Sequence, residues 1–133
     1  MRTRYELDRD VSAPSTARDV VQDVVAQLGT RAADARIIAS ELVANSVRHS
    51  DAPVGRPIAL EVEFDADFVK IQVSDAGSGY QRDAVQQRTA GHDGGFGLLL
   101  VSELSDAWGV SGEGGTCAWA LLDRTKEPAP LAK

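Results

Sequence analysis

Glu41 and Asn45 stand four residues apart within residues 37–50, a stretch that otherwise reads as a buried helix. Four residues is about one helical turn, so the two side chains stack on one face. Ile37, Ile38, Leu42, Val43 and Val47 fall mostly at helical spacing beside them, which sets the carboxylate and the carboxamide along one edge of a core-packed helix. The Asn oxygen suits a hard cation such as Mg²⁺, which takes a few oxygen ligands and keeps several waters, while the Glu can accept a proton from water or an alcohol. Two glycine-bearing stretches downstream supply what such a pair could act upon. In Asp75-Ala-Gly77-Ser-Gly79 the carboxylate can accept a hydrogen bond from an exocyclic amine, and the glycines permit positive φ or close approach of a ligand to the backbone. In Gly94-Gly95-Phe96-Gly97, ahead of an apolar helical run, free backbone N–H groups and a helix dipole suit a polyphosphate. Taken singly, each stretch also reads as an ordinary turn, and neither is a Walker loop or a Gly-x-Gly-x-x-Gly fingerprint.

The elements that must position these residues follow from periodicity. Tyr5, Leu7, Arg9 and Val11 alternate with Glu6, Asp8 and Asp10, predicting a polar first strand at a sheet edge, broken by residues 14–16. Val20, Val21, Val24, Val25 and Leu28 predict an amphipathic helix over residues 17–28, with Ser15 or Thr16 as its cap and Gly29 as its stop. Thr30 can cap the next helix, which carries Glu41 and Asn45 to about His49 and ends in the Pro53, Gly55 and Pro57 region. Ile58, Leu60, Val62 and Phe64, then Val69, Ile71 and Val73, alternate with polar residues on either side of a turn at residues 65–67, an antiparallel hairpin with one wet face. Residues 76–95 are polar and glycine-bearing without a sustained apolar period, the mark of a lid or binding loop in a compact domain. An apolar helix over residues 96–104 and a hairpin over residues 107–110 and 116–122 complete the chain, with Trp108 and Trp119 reading as core. This order predicts an α+β fold, a two-layer sandwich with a mixed, mostly antiparallel sheet covered on one face by helices. A single domain is expected over residues 1–123, with a flexible tail at residues 124–133.

With 133 residues, 43% of them hydrophobic, the chain can bury one core of its own. Its formal charge of −6 and the lack of any basic run argue against a nucleic-acid surface. No apolar stretch approaches the roughly 20 residues that span a bilayer, and the N-terminus lacks the apolar segment of a signal peptide, so no membrane partner and a cytoplasmic location are expected. The single Cys117 cannot form an internal disulfide and reads as a small buried side chain. His49 continues the Glu41 and Asn45 spacing by four more residues, but Asn is a poor zinc ligand and no cysteine accompanies it, so a helix-terminal dipole role fits better than zinc. Arg48 reads equally as a phosphate contact or a surface ion-pair partner.

Jointly, and in this order, the three stretches resemble the Bergerat-fold (GHKL) ATP-binding superfamily. Its signature is an acidic-x-x-x-Asn helix, an Asp-x-Gly-x-Gly strand end, a mobile lid and a glycine-rich loop entering a helix. Glu41-Leu-Val-Ala-Asn45, Asp75-Ala-Gly77-Ser-Gly79 and Gly95-Phe-Gly97-Leu98 match it, and Gly115-Thr116 matches the small final motif. The likeness covers roughly residues 5–122. Within the superfamily, Asn45-Ser-Val-Arg-His49 and the ending from Trp108 to Trp119 look most like the bacterial anti-sigma-factor serine/threonine kinases (RsbW-like). The resemblance implies ATP and Mg²⁺ as cofactors, Glu41 as general base and Asn45 as the Mg²⁺ ligand. It implies Asp75 on the adenine amino group, Gly77 and Gly79 admitting the base, Gly95, Gly97 and Leu98 at the phosphates, and Thr116 near the adenine. Arg82 and Arg88 lie in the expected lid and could touch a γ-phosphate when it closes, but polar loops carry arginines for solubility alone, and the two are not counted as catalytic. As partners it implies a sigma factor and a STAS-domain anti-anti-sigma antagonist phosphorylated on serine or threonine, with a homodimer plausible from the family. A non-catalytic ATP-binding interaction module is the alternative. A two-component histidine kinase fits less well, since the short N-terminal segment holds no dimerisation helices with a phosphoacceptor histidine.

Overall fold

A computed structural model of the chain describes residues 1–49, 52, 55–77, 96–111 and 115–126. Apolar alternation sorts five strands into one sheet: β1 (Arg2–Leu7), β2 (Ile58–Phe64), β3 (Phe68–Asp75), β4 (Ala107–Ser111) and β5 (Thr116–Asp123), in the order β1-β2-β3-β5-β4. Each of these pairings is antiparallel. Ile58, Leu60, Val62, Val69, Ile71, Val73, Ala118, Ala120 and Leu122 are buried on one face, as side-chain alternation along a strand requires. Helices α1 (Ala13–Val25), α2 (Ala32–His49) and α3 (Phe96–Leu104) cover that face through Ala17, Val21, Ile38, Leu42, Leu98 and Val101. The expected two-layer α+β sandwich is present, with β1 and β4 as its edges.

The first two elements both begin earlier than their apolar periodicity suggests. β1 ends at Leu7, and residues 8–12 form a turn in which the Asp10 carboxylate accepts from the Ser12 N–H and hydroxyl at 2.9 and 2.6 Å. The Ser12 hydroxyl and N–H hold the Asp10 carboxyl below its usual range. Arg9 and Val11 therefore lie outside the strand, and Val11 is 93% exposed. Pro14 sits in the first turn of α1, where its missing N–H removes no helical bond, so residues 14–16 open the helix rather than break the chain. After α1, Gly29 at φ +64 turns a 3-10 stretch, Ala26–Arg31, into α2.

Arg31 ends that stretch as the hub of a buried polar cluster. Its guanidinium donates to the carbonyls of Asp123 (2.7 Å) and Leu104 (2.9 Å) and lies 3.3 Å from the Asp34 carboxylate and 3.5 Å from that of Asp106. The start of α2, the end of α3 and the end of β5 are thereby tied to one side chain. Burial pushes the Asp34 carboxyl above its usual range, and Arg31 partly offsets that.

The open face of the sheet carries a different population. Arg2 and Arg4 of β1 each reach Glu61 of β2 at 2.8 Å. Trp119 faces this side rather than the core, because Ala118 and Ala120 point inward and the residue between them cannot. Its ring lies so close over Gly109 that a Cβ there would come within 2.9 Å, and the Lys70 ammonium stands 5.8 Å from the ring centroid. Trp108, one residue off in the opposite sense, packs against the core as expected. Cys117 is half-buried rather than buried. No described helix is long and apolar enough to cross a membrane.

Candidate functional site

β3 stops, β5 starts and α2 packs against both strands at the end of the sheet where the candidate residues gather. Asp75, the last residue of β3, pairs with Thr116, the first of β5. Gly115 precedes it at φ +121, and a Cβ there would lie 2.6 Å from the Asp75 carbonyl oxygen. Both the backbone conformation and the close approach require glycine, which gives Gly115-Thr116 a physical reason to stand beside Asp75. Thr116 is buried.

The Asp75 carboxylate is clasped from two sides. The Ser46 hydroxyl of α2 donates to Oδ2 at 2.5 Å, and the Gly77 N–H donates to Oδ1 at 2.7 Å. Ser46 is 2% exposed and was not among the residues singled out from the sequence. A serine following Asn45 in an apolar helix was the only signal, and its partner 29 residues away cannot be read from local spacing.

Asn45 is 0% exposed. Its side-chain amide donates to the Glu41 carbonyl at 2.9 Å, which fixes the nitrogen on that side and leaves Oδ1 as the remaining acceptor. That oxygen is buried and has no hydrogen-bond partner. A buried polar atom without a partner costs stability and calls for an explanation, and a cation or a ligand donor would supply one. Among the described residues no group of three or more His, Cys, Asp or Glu could hold a metal ion. An Asn side-chain oxygen is a hard ligand of the kind Mg²⁺ takes together with phosphate and water oxygens. The residues therefore fit that ion. Glu41 is half-buried one turn earlier on α2.

Of the remaining candidates, Gly97 and Leu98 lie in the first turn of α3. The Leu98 side chain is fully buried in the core, so only its backbone is available to a ligand. Gly79, Gly95, Arg82 and Arg88 lie outside the described residues. Arg48 is exposed on α2, which His49 ends.

The family model described as histidine kinase-like ATPase domain matches residues 8–121. The chain belongs to this family. Membership implies ATP as the ligand, and the match takes in every candidate residue named above. No curated protein matches the chain. Its fold is shared with the crystal structure of the RsbU and RsbW domains of a Mycobacterium tuberculosis protein, at a TM-score of 0.66 and 22% identity over 100% of this chain and 34% of that one. It is also shared with the histidine kinase domain of a blue-light activated histidine kinase from Erythrobacter litoralis, at a TM-score of 0.58 and 16% identity over 86% of this chain and 60% of that one. The chain thus spans less than two thirds of either. The Bergerat (GHKL) fold inferred from the motifs is the fold observed.

Proposed function

We propose that this histidine kinase-like ATPase domain is a regulatory protein kinase that binds ATP with Mg²⁺, phosphorylates serine or threonine on a STAS-domain anti-anti-sigma antagonist and sequesters a sigma factor. The observation that carries the reading is the buried, unpartnered Asn45 oxygen one turn from Glu41 and next in sequence to the Ser46–Asp75 clasp. Asn45 would hold the cation, whose chemistry is to neutralise phosphate charge. Asp75 accepts from the exocyclic amine of adenine, with Gly77, Gly79 and Thr116 around the base. The N–H groups of Gly97 and Leu98 at the start of α3 face the phosphates, as helix N-termini do for anions, with Gly95 as a further phosphate contact. Glu41 takes the proton of the acceptor hydroxyl as its oxygen bonds to the γ-phosphorus and the bond from that phosphorus to the β-phosphate oxygen breaks, leaving ADP. Positioning and charge neutralisation supply most of such a rate, with little covalent chemistry asked of the protein. A homodimer and a single domain ending near residue 123 complete the reading.

Calorimetric titration with ATP, with and without Mg²⁺, tests it together with a phosphotransfer assay on a STAS-domain acceptor. Wild type should bind in a Mg²⁺-dependent way, Asn45→Ala should lose that dependence, and Glu41→Gln should keep ATP affinity while losing transfer by about 100-fold or more. Binding without any transfer by the wild type would instead leave a nucleotide-stabilised interaction module.

A further inference from the structure

The Ser46–Asp75 clasp does more than anchor a carboxylate. A serine hydroxyl has one hydrogen and two lone pairs, and an ionised carboxylate is an acceptor only. At 2.5 Å the Ser46 proton is committed to Asp75 Oδ2, so what the hydroxyl can still offer a neighbour is a lone pair. The Gly77 N–H is likewise committed to Oδ1 at 2.7 Å. Neither the hydroxyl nor the N–H is then left to donate to a ligand, while the Asp75 carboxylate and the Ser46 oxygen can only accept. Ser46 is 2% exposed and rooted in α2, and Gly77 is buried in the turn after β3, so neither is free to swing away and let water donate in its place.

We propose that Ser46 is a specificity-determining positioning residue: by committing its proton to Asp75 it makes the base end of the site accept an exocyclic amine and reject a 6-oxo group. The inference rests on the nucleotide reading above, in which Asp75 faces the base. A 6-amino purine brings two N–H donors to acceptors. A 6-oxo purine brings a lone pair against lone pairs and leaves buried polar groups unpaired, the situation in which hydrogen-bonding sites discriminate most strongly. In Ser46→Ala a water can enter beside Asp75 and turn its hydrogen toward a 6-oxo group, which a hydroxyl donating to Oδ2 cannot do.

The test is calorimetric titration of the wild type, Ser46→Ala, Asp75→Asn and the double variant with Mg²⁺ and either ATP or inosine triphosphate, a pair that differs at position 6 of the purine. Wild type should favour ATP by about 100-fold or more, and Ser46→Ala should narrow that ratio about tenfold. In the Asp75→Asn background the same serine substitution should leave the ratio unchanged, since its effect acts through the carboxylate. Thermal unfolding without nucleotide checks that Ser46→Ala is folded, which alanine in a helix favours. A ratio unmoved by Ser46→Ala, in a wild type that binds ATP and is weakened by Asp75→Asn, would overturn this inference and leave the nucleotide reading intact. A serine effect equal in both backgrounds would also overturn it, and no ATP binding by the wild type would overturn both.

Discussion

Replacing Arg31 by Met retains most of the buried stem and removes the charge and every donor, so it isolates the electrostatic work of the hub. Two carbonyls, those of Leu104 and Asp123, lose donors at 2.9 and 2.7 Å, and Asp34, whose side chain is 4% exposed, loses its cation at 3.3 Å. Breaking one partner of a buried pair typically costs about 3–5 kcal/mol, because the other charge is left uncompensated. A loss of about 4 kcal/mol is expected here, a large share of the roughly 5–15 kcal/mol available to a domain. In urea, with a slope of about 2 kcal/mol per molar, the midpoint should fall by about 2 M. The pH dependence identifies the cause. Burial raises the folded-state Asp34 carboxyl above its unfolded value, with Arg31 opposing. Ionised Asp34 therefore weakens the fold above its folded-state pKa, and the penalty is relieved as pH falls toward the unfolded value near 4. Without Arg31 the pKa climbs further, so the variant's deficit should be full at pH 7.5 and visibly smaller at pH 5, and Asp34→Asn should restore part of it at pH 7.5. Asp106 runs the other way. Burial pushes its carboxyl up, but the Asp123 N–H, Lys126 and Arg31 together hold it below its usual range, so its support is lost as pH falls and cannot mimic relief at pH 5. Urea curves showing a deficit below about 1 kcal/mol, or one that neither pH nor Asp34→Asn changes, would refute the account of Arg31 as a buried charge clamp.

Gly115→Ala places a Cβ 2.6 Å from the Asp75 carbonyl at φ +121, whereas Gly55→Ala at φ +89 meets nothing within 4 Å. The first should cost about 2–4 kcal/mol and the second about 1 kcal/mol by thermal unfolding, and equal costs would remove the close approach from the explanation. Glu61→Gln should lower the melting temperature by only about 2 °C at pH 7, since its arginine partners are exposed. Bonds from Arg2 first, then Arg4, hold the Glu61 carboxyl below its usual range, so its support is present above the unfolded value and should fade from melting curves as pH falls from that value through the folded one, or in high salt.

Residues related by local spacing were legible from the sequence. Period two in Ile58–Phe64 and in Phe68–Asp75, and the apolar run of Phe96–Leu104, report burial directly, because a face that packs must repeat with its own backbone geometry. Glu41 and Asn45 share a helical face for the same reason, and the order of motifs along the chain was enough to indicate the superfamily. Pro14 misled, because proline reads as a break in sequence and only the turn before it reveals a helix start. What tertiary structure alone decided is everything that depends on register between distant segments. The pairing of Asp75 with Thr116 sets Gly115 against the Asp75 backbone, the packing of α2 over β3 brings Ser46 to Asp75, and Arg31 meets Leu104 and Asp123 across 73 and 92 residues. Such contacts leave no periodic trace, since their energy comes from satisfying particular buried donors and acceptors, and a single serine or arginine carries it as a residue type common anywhere in a chain.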